Sequence, residues 1–314
     1  MADSTGIQWT DATWNPVTGC SRVSPGCVNC YAERMSARLQ AMGQANYRNG
    51  FRVTLHPEVL EQPLAWRRPR RIFVCSMADL FHPDVPDEFI ESVFGIAALA
   101  QHHTFQVLTK RPERAQAWFE ERFLGGETRA DQVARAASHL GARLDRRGIT
   151  WDSRGSERSN YTGPPDLDVS NRRPWPGWPL PNVWVGTSVE SRRYLDRLDT
   201  LRRIPAALRF VSFEPLLEPV QPNLEGIDWA IIGGESGPGA RRLDLDGVRH
   251  LLHLCRNSGT VPFVKQLGRV WARLHYPRNL HGAEPSTWPE DLRVQEFPVA
   301  APPRPTLQLV GGPA

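Results

Sequence analysis

Six short apolar runs recur along this sequence, each ending in polar residues and most leading into a stretch with helical spacing. They are RIFVCS (71–76), TFQVLT (104–109), NVWVGTS (182–188), LRFVSFE (208–214), DWAIIGGE (228–235) and VPFVKQ (261–266). They are rich in Val, Ile and Phe and nearly continuous, as expected of parallel strands buried on both faces. A shorter run, GIQWT (6–10), reads as a first strand. Between the runs, helices are expected over 30–42, 86–101, 111–123, 191–203 and 245–257. Pro86-Asp87-Glu88 places a proline and two acids in a first turn, where orphan N–H groups favour them. Such alternation predicts an α/β fold, either a barrel or a doubly wound sheet.

The polar residues after the strands choose between these. Ser76 and Asp79, Lys110 and Arg111, Ser188 and Glu190, Glu214, Glu235 with Ser236, and Lys265 with Gln266 all follow apolar runs. In parallel α/β folds the carboxyl ends of the strands form the active face. Polar groups at nearly every strand end favour a barrel mouth over a single crevice. Residues 124–181 break the rhythm, with an expected polar helix (129–147) and then Arg-, Gly-, Pro- and Ser-rich loop. They read as an insertion between strands 3 and 4. The domain reading is a barrel over 1–285 and a Pro/Gly-rich tail over 286–314.

No apolar run reaches the roughly 20 residues needed to cross a bilayer. The beginning, MADSTGIQWTDATW, has neither a basic n-region nor an apolar h-region, so a cytoplasmic location without a signal peptide is expected. Net charge is +4 and Arg greatly outnumbers Lys, which is compatible with a nucleic-acid partner and equally with a high-GC genome.

Three of the five cysteines lie within eleven residues, in TGC-SRVSPG-C-VN-CYAER. Cys20, Cys27 and Cys30 therefore form a C-x6-C-x2-C loop running straight into a helix. Three thiolates on one loop can hold three irons of a [4Fe–4S] cube and leave the fourth open. Gly19, Pro25 and Gly26 permit the turns such a loop needs. Zinc is the alternative; it would draw its fourth ligand from afar, from His56, His82, His102 or His103. Asp79 and His82 are a further, weaker metal pair. Cys75 and Cys255 sit in apolar segments and read as buried thiols.

The cysteine loop, placed after a first strand of a repeated βα unit, resembles the radical-S-adenosylmethionine superfamily. WTDATWNPVTGC, SPGCVNCYAER, RIFVCSMADLFHPDVPDEF, FQVLTKRPER, FVSFEPLL and IIGGESGPGAR, in that order, also resemble a phage-associated family of three-cysteine-motif proteins. The likeness covers most of 7–268 apart from the insertion. The first cysteine gap is longer than the superfamily's usual C-x3-C-x2-C. Gly233-Gly234-Glu235 also comes late, whereas the superfamily's Gly-Gly-Glu follows strand two; Ser76-Met77-Ala78-Asp79 stands there instead.

The resemblance implies a TIM-like partial parallel β/α barrel of the radical-SAM type. It also implies a [4Fe–4S] cluster, S-adenosyl-L-methionine and an electron-donor protein. On that basis Asp79 or Ser76 is expected to bind the methionine amino group, Lys110 or Arg111 its carboxylate, and Ser188 and Glu190 the ribose. Gly233 and Gly234 would let backbone approach the cofactor. Glu214, Glu235 and Lys265 are the candidates for substrate contact or proton transfer. The substrate expected is a nucleic-acid base or nucleotide, in DNA repair or modification, with the RRPWPGW stretch of the insertion either a stacking element or a loop that packs over the barrel. From another class, a zinc-stabilised, non-catalytic nucleic-acid-binding protein fits the same residues. An ion pair between Lys110 and Glu214, or a helix cap at Ser188, would be a purely structural use of those side chains.

Overall fold

Sequential βα units lay their strands side by side in chain order, and this chain does so throughout. The computed structural model describes residues 5–123, 126–145, 176–275 and 282–299. After β1 (Ala12–Trp14) comes a two-residue hairpin, β2 (Val17–Thr18) with β3 (Thr54–Leu55). The strands that follow are β4 (Arg71–Val74), β5 (Thr104–Thr109), β6 (Val183–Ser188), β7 (Leu208–Phe213), β8 (Trp229–Gly233) and β9 (Val261–Gln266). All but the hairpin form one parallel sheet ordered β1-β4-β5-β6-β7-β8-β9.

The sheet is curled into a partial barrel, and its aromatic rings show why. Trp9 touches both Phe73 of β4 and Trp229 of β8, at ring-centroid distances of 4.6 and 6.1 Å. In a flat sheet those two strands would lie about 19 Å apart. Period-2 alternation divides the strand side chains into two cores. Phe73, Trp184, Leu208, Phe210, Trp229, Ile231 and Phe263 point inward with Trp9. Ile72, Val74, Phe105, Val107, Val185, Val211 and Ile232 pack outward beneath the helices. Gly186 makes room inside: a Cβ there would lie 2.6 Å from the Phe210 ring.

GIQWT is therefore not the first strand. Pairing with β4 begins when Asp11 N–H donates to Arg71 O (2.9 Å). The apolar Ile7 and Trp9 imitate strand alternation because they plug the barrel, not because they pair. The helices are α1 (Tyr31–Ala41), α2 (Asp87–Leu99), α3 (Pro112–Glu120), α4 (Arg129–Asp145), α5 (Asp196–Arg203), α6 (Leu245–Ser258) and α7 (Gly268–His275). The insertion's polar helix is α4, which packs on α2; a Cβ at Gly95 would sit 3.0 Å from Ala137 N. The stretch expected to be helical over 191–203 opens as a 3-10 turn, Arg192–Tyr194, before α5. The C-terminal stretch runs beside β9, where Val264 N–H donates to Val294 O (2.7 Å). Trp288 and Leu292 are buried, and Phe297 meets the rings of Trp229 (5.7 Å) and Phe263 (5.2 Å).

Candidate functional site

Polar residues that follow β5, β6 and β8 meet the cysteine loop at the carboxyl ends of the strands. Gly19, at φ 85°, donates its N–H to Met77 O (3.0 Å), and Cys20 N–H donates to Phe51 O (3.1 Å). A 3-10 turn, Pro25–Cys27, then leads to α1. Cys20, Cys27 and Cys30 are all unbridged and half-buried, whereas Cys75 and Cys255 are buried. Cys75 adopts φ 58°, a left-handed conformation uncommon outside glycine, at the tip of β4 beside this loop.

Three strand ends hold the loop down. From β5, Arg111 points Nη1 at Cys20 Sγ (3.5 Å) and at Asp79 Oδ2 (3.1 Å). Its Nη2 donates to Ser21 O (3.0 Å) and Oγ (2.8 Å). Asp79 is itself fixed by the Thr109 hydroxyl (2.7 Å) and by the N–H of Lys110 (3.0 Å). Burial, then Asp79, push the Cys20 thiol up; Arg111 opposes them.

From β6 comes Glu190, fully buried. It accepts from Lys110 Nζ (3.1 Å), Arg197 Nη1 (3.0 Å) and the Ser24 hydroxyl of the cysteine loop. Burial acts to raise its carboxyl, but Lys110, Ser24 and Arg197 outweigh burial and hold it below the usual carboxylate range. Only glycine passes here: a Cβ on Gly26 would lie 2.5 Å from Glu190 Cγ. From beyond β8 comes Glu235, gripped by Arg241 and by Asn29 Nδ2 (3.0 Å). Arg241 Nη2 also donates to Pro25 O (3.0 Å). Burial raises the Glu235 carboxyl, and hydrogen bonds from Arg241 and Asn29 more than reverse that.

The remaining groups behave differently. Glu214 Oε1 accepts from Lys265 Nζ (2.6 Å) and Gln266 Nε2 (2.7 Å), and the pair stays part-exposed without touching the cysteine loop. Ser76 donates to Asn15 Oδ1 (3.1 Å), and the Tyr31 hydroxyl donates to Ser76 O. Ser188 is buried, and its carbonyl accepts from Arg197 (2.8 Å). Gly234 is tight for protein reasons, since a Cβ would meet Leu243 Cβ at 3.1 Å and Gly268 Cα at 3.2 Å; Gly233 would make only ordinary contacts.

Two structural alternatives are corrected. Lys110 pairs with Glu190 and Glu214 with Lys265, so Lys110 and Glu214 do not bridge. Ser188 lies within β6, where it caps no helix. Asp79 and His82 do not share a cation site either. Asp79 is committed to Arg111, and His82 Nδ1 accepts from Asp84 N–H while Nε2 bonds Ser21 Oγ (2.7 Å). His56 bonds Thr18, His102 the Trp66 carbonyl and His103 the Pro63 carbonyl. Among the described residues no three His, Cys, Asp or Glu side chains converge on one ion-sized point. Trp178 of the RRPWPGW stretch packs against Phe119 (5.6 Å) and Phe94 (6.2 Å), and Trp175 lies outside the described residues.

The sequence holds one further signal. Of 38 basic Lys and Arg residues only two are lysine, and these are Lys110 and Lys265, both at strand tips on this rim. Asn15, Ser21, Ser24, Asn29 and Arg241 carried no pattern of their own; each matters only through a partner distant in the chain.

Fold and site together define a partial α/β barrel whose mouth is spanned by a three-cysteine loop bolted to the strand ends. The chain belongs to the family described as "Protein of unknown function (DUF5131)", which matches residues 4–289. No curated protein matches it. Similar solved structures include spore photoproduct lyase complexed with dinucleoside spore photoproduct, at 11% identity and TM-score 0.34 over 77% of this chain and 60% of that one. A cysteine-to-serine mutant of the lyase gives 12% and 0.39 over 79% and 66%. A mutant with bound AdoMet and dinucleoside spore photoproduct gives 11% and 0.36 over 87% and 63%. This chain thus spans 60% to 66% of the length of those lyase chains. No helix among the described residues is long and apolar enough to cross a membrane.

Proposed function

We propose that Cys20, Cys27 and Cys30 hold a [4Fe–4S] cluster and that the chain is a radical-S-adenosylmethionine-type enzyme acting on a nucleic-acid base or nucleotide. One observation carries this: three unbridged, half-buried thiols share a loop over the barrel mouth, and that loop is pinned at Cys20–Ser21, Ser24–Pro25 and Asn29 by separate strand ends. The donor set fits a cube, which spreads its sulfur ligands over three irons. A structural zinc ion would need a fourth ligand, and His56, His82, His102 and His103 are each bonded elsewhere. When bound, such a cluster supplies the one electron that splits a sulfonium C–S bond.

The chain's own residues divide the remaining work. Arg111 offsets negative charge at Cys20, and Asp79 orients Arg111. Glu190 and Glu235 keep the loop in place, so their carboxylates serve the cysteines before any ribose or substrate. Ser76, Glu214 and Lys265 belong to the part of the rim left for cofactor and substrate. Lys265 is the candidate for proton transfer. An ammonium can give up its proton where a guanidinium cannot, and in a chain that uses Arg almost everywhere this position carries Lys. The net charge of +4 suits a phosphate-bearing substrate.

Anaerobic reconstitution tests the proposal. The loaded chain should absorb broadly at about 400 nm, as expected of thiolate–iron clusters. It should release 5′-deoxyadenosine from S-adenosylmethionine under dithionite, and alanine at any of the three cysteines should abolish both. A colourless protein that binds one zinc would reject it.

A further inference from the structure

The turn that follows β4 reaches the cysteine loop twice. Asp79 fixes Arg111, while His82 bonds the Ser21 hydroxyl (2.7 Å). The turn is tightly tied: His82 N–H donates to Asp79 O (3.0 Å), and Val85 N–H donates to His82 O (2.9 Å). Phe81 N–H also donates to Asp79 Oδ1 (3.0 Å). Phe81 and Val85 are buried, and so is His82, at 5% exposure.

The partners of this ring place its proton. Asp84 N–H points at Nδ1 (3.1 Å), and a backbone N–H can only donate. Nδ1 therefore carries no proton, and the Asp84 carboxylate stands off at 3.7 Å. Burial, then the Arg111 charge, push the ring's pKa down and favour the neutral form. A neutral imidazole bare at Nδ1 has its proton on Nε2, which here donates to Ser21 Oγ. Arg111 Nη2 donates to the same oxygen (2.8 Å). A hydroxyl oxygen has two lone pairs, and both are now filled. The Ser21 proton cannot turn back toward His82 or Arg111 and must be donated elsewhere.

Among the described residues no acceptor meets that proton, and Ser21 is exposed. One guanidinium serves both neighbours in the loop: Arg111 points Nη1 at Cys20 Sγ (3.5 Å) and Nη2 at Ser21 Oγ. The hydroxyl thus stands on the same side of Arg111 as the first sulfur. We propose that His82 is a positioning residue which, together with Arg111, makes the Ser21 hydroxyl an obligatory donor to sulfur at the Cys20 corner of the cluster. The proposal rests on the cluster reading. Two incoming hydrogen bonds polarise the hydroxyl and strengthen it as a donor. A hydrogen bond to sulfur favours the reduced, more negative cluster and so raises its potential.

Four variants of the full chain test this: Ser21→Ala, Ser21→Thr, His82→Phe and His82→Gln. With the cluster loaded, Ser21→Ala and His82→Phe should lower the midpoint potential in a reductive titration. The expected shift is about tenfold in the reduction equilibrium, which is about 59 mV for one electron. Ser21→Thr keeps the hydroxyl and His82→Gln keeps an N–H in place of Nε2–H, so both should stay close to the wild type. A residue that only stiffens the loop would move the urea midpoint and leave the potential alone. An unmoved potential in Ser21→Ala overturns the proposal while the cluster reading stands. In the iron-free chain, ring-nitrogen NMR should show His82 neutral with its proton on Nε2, and that resonance should move in Ser21→Ala. A proton on Nδ1 would overturn the proposal whether or not iron binds. A chain that assembles no cluster rejects the reading itself, and the proposal with it.

Discussion

At the scale of single residues, the thiols were legible and their keepers were not. Three cysteines within eleven positions announce a ligand loop without any structure. Nothing local says that Arg111, ninety-one positions beyond Cys20, aims its guanidinium at that sulfur. Arg111, Glu190 and Glu235 stand out in the sequence because they follow strands, but the partners each one meets come from tertiary closure. Arg111→Ala should lower retention of iron against a chelator about tenfold or more, the usual cost of losing a partner just behind a metal ligand. Arg111→Lys should rescue it only in part, because a point charge cannot reach Cys20, Ser21 and Asp79 at once. Unchanged iron retention in Arg111→Ala would show that Arg111 is not a positioning residue.

At the scale of elements, the long apolar runs became strands where expected, and the departures share a cause. The hairpin of β2 and β3 has two residues a side, too short for periodicity to register. The GIQWT stretch alternates correctly for a strand, yet Trp9 is consumed inside the barrel. The insertion's helix α4 carries one fully buried charge as well as its apolar packing on α2. Arg129, at the start of α4, has its guanidinium between Trp118 (4.6 Å) and Phe123 (4.8 Å). It binds Glu91 and Asp87 of α2, together with Glu121 just past α3. Arg129→Met would leave these acids without their buried partner, at a cost of about 3–5 kcal/mol. Urea unfolding should show the midpoint fall; a shift within experimental error would mean the acids find water instead.

At the scale of the whole molecule, acid should be the weak direction. His103 is buried, its Nδ1 accepting from Arg70 N–H (3.2 Å), which obliges Nε2–H to donate to Pro63 O (3.0 Å). That arrangement requires the neutral ring. Burial, followed by the neighbouring His102, lowers its pKa to about 4. The unfolded chain takes up this proton near pH 6.5, before the folded one does. His103 therefore contributes fully above pH about 6.5 and loses about 3 kcal/mol of stability as pH falls through about 4. Glu190 and Glu235, both held low, add a loss in the same direction once pH drops below the ordinary carboxylate range. Urea midpoints measured from pH 7 to 4 should fall steadily, and His103→Gln should flatten the upper part of that decline. A wild-type profile that is level from pH 6.5 to 4 would contradict the assignment.

Periodicity and spacing, which depend only on neighbours in the chain, were enough to specify alternating strands and helices, a rim of polar strand tips and a loop of three thiols. They could not say which charge meets which. Pairings such as Lys110 with Glu190, or Arg241 with Glu235 and the cysteine loop, arise because curling the sheet brings separate strand ends onto one small mouth. Once there, desolvation penalises every charge left without a partner, so the choice among partners belongs to the closed barrel rather than to any segment of the sequence.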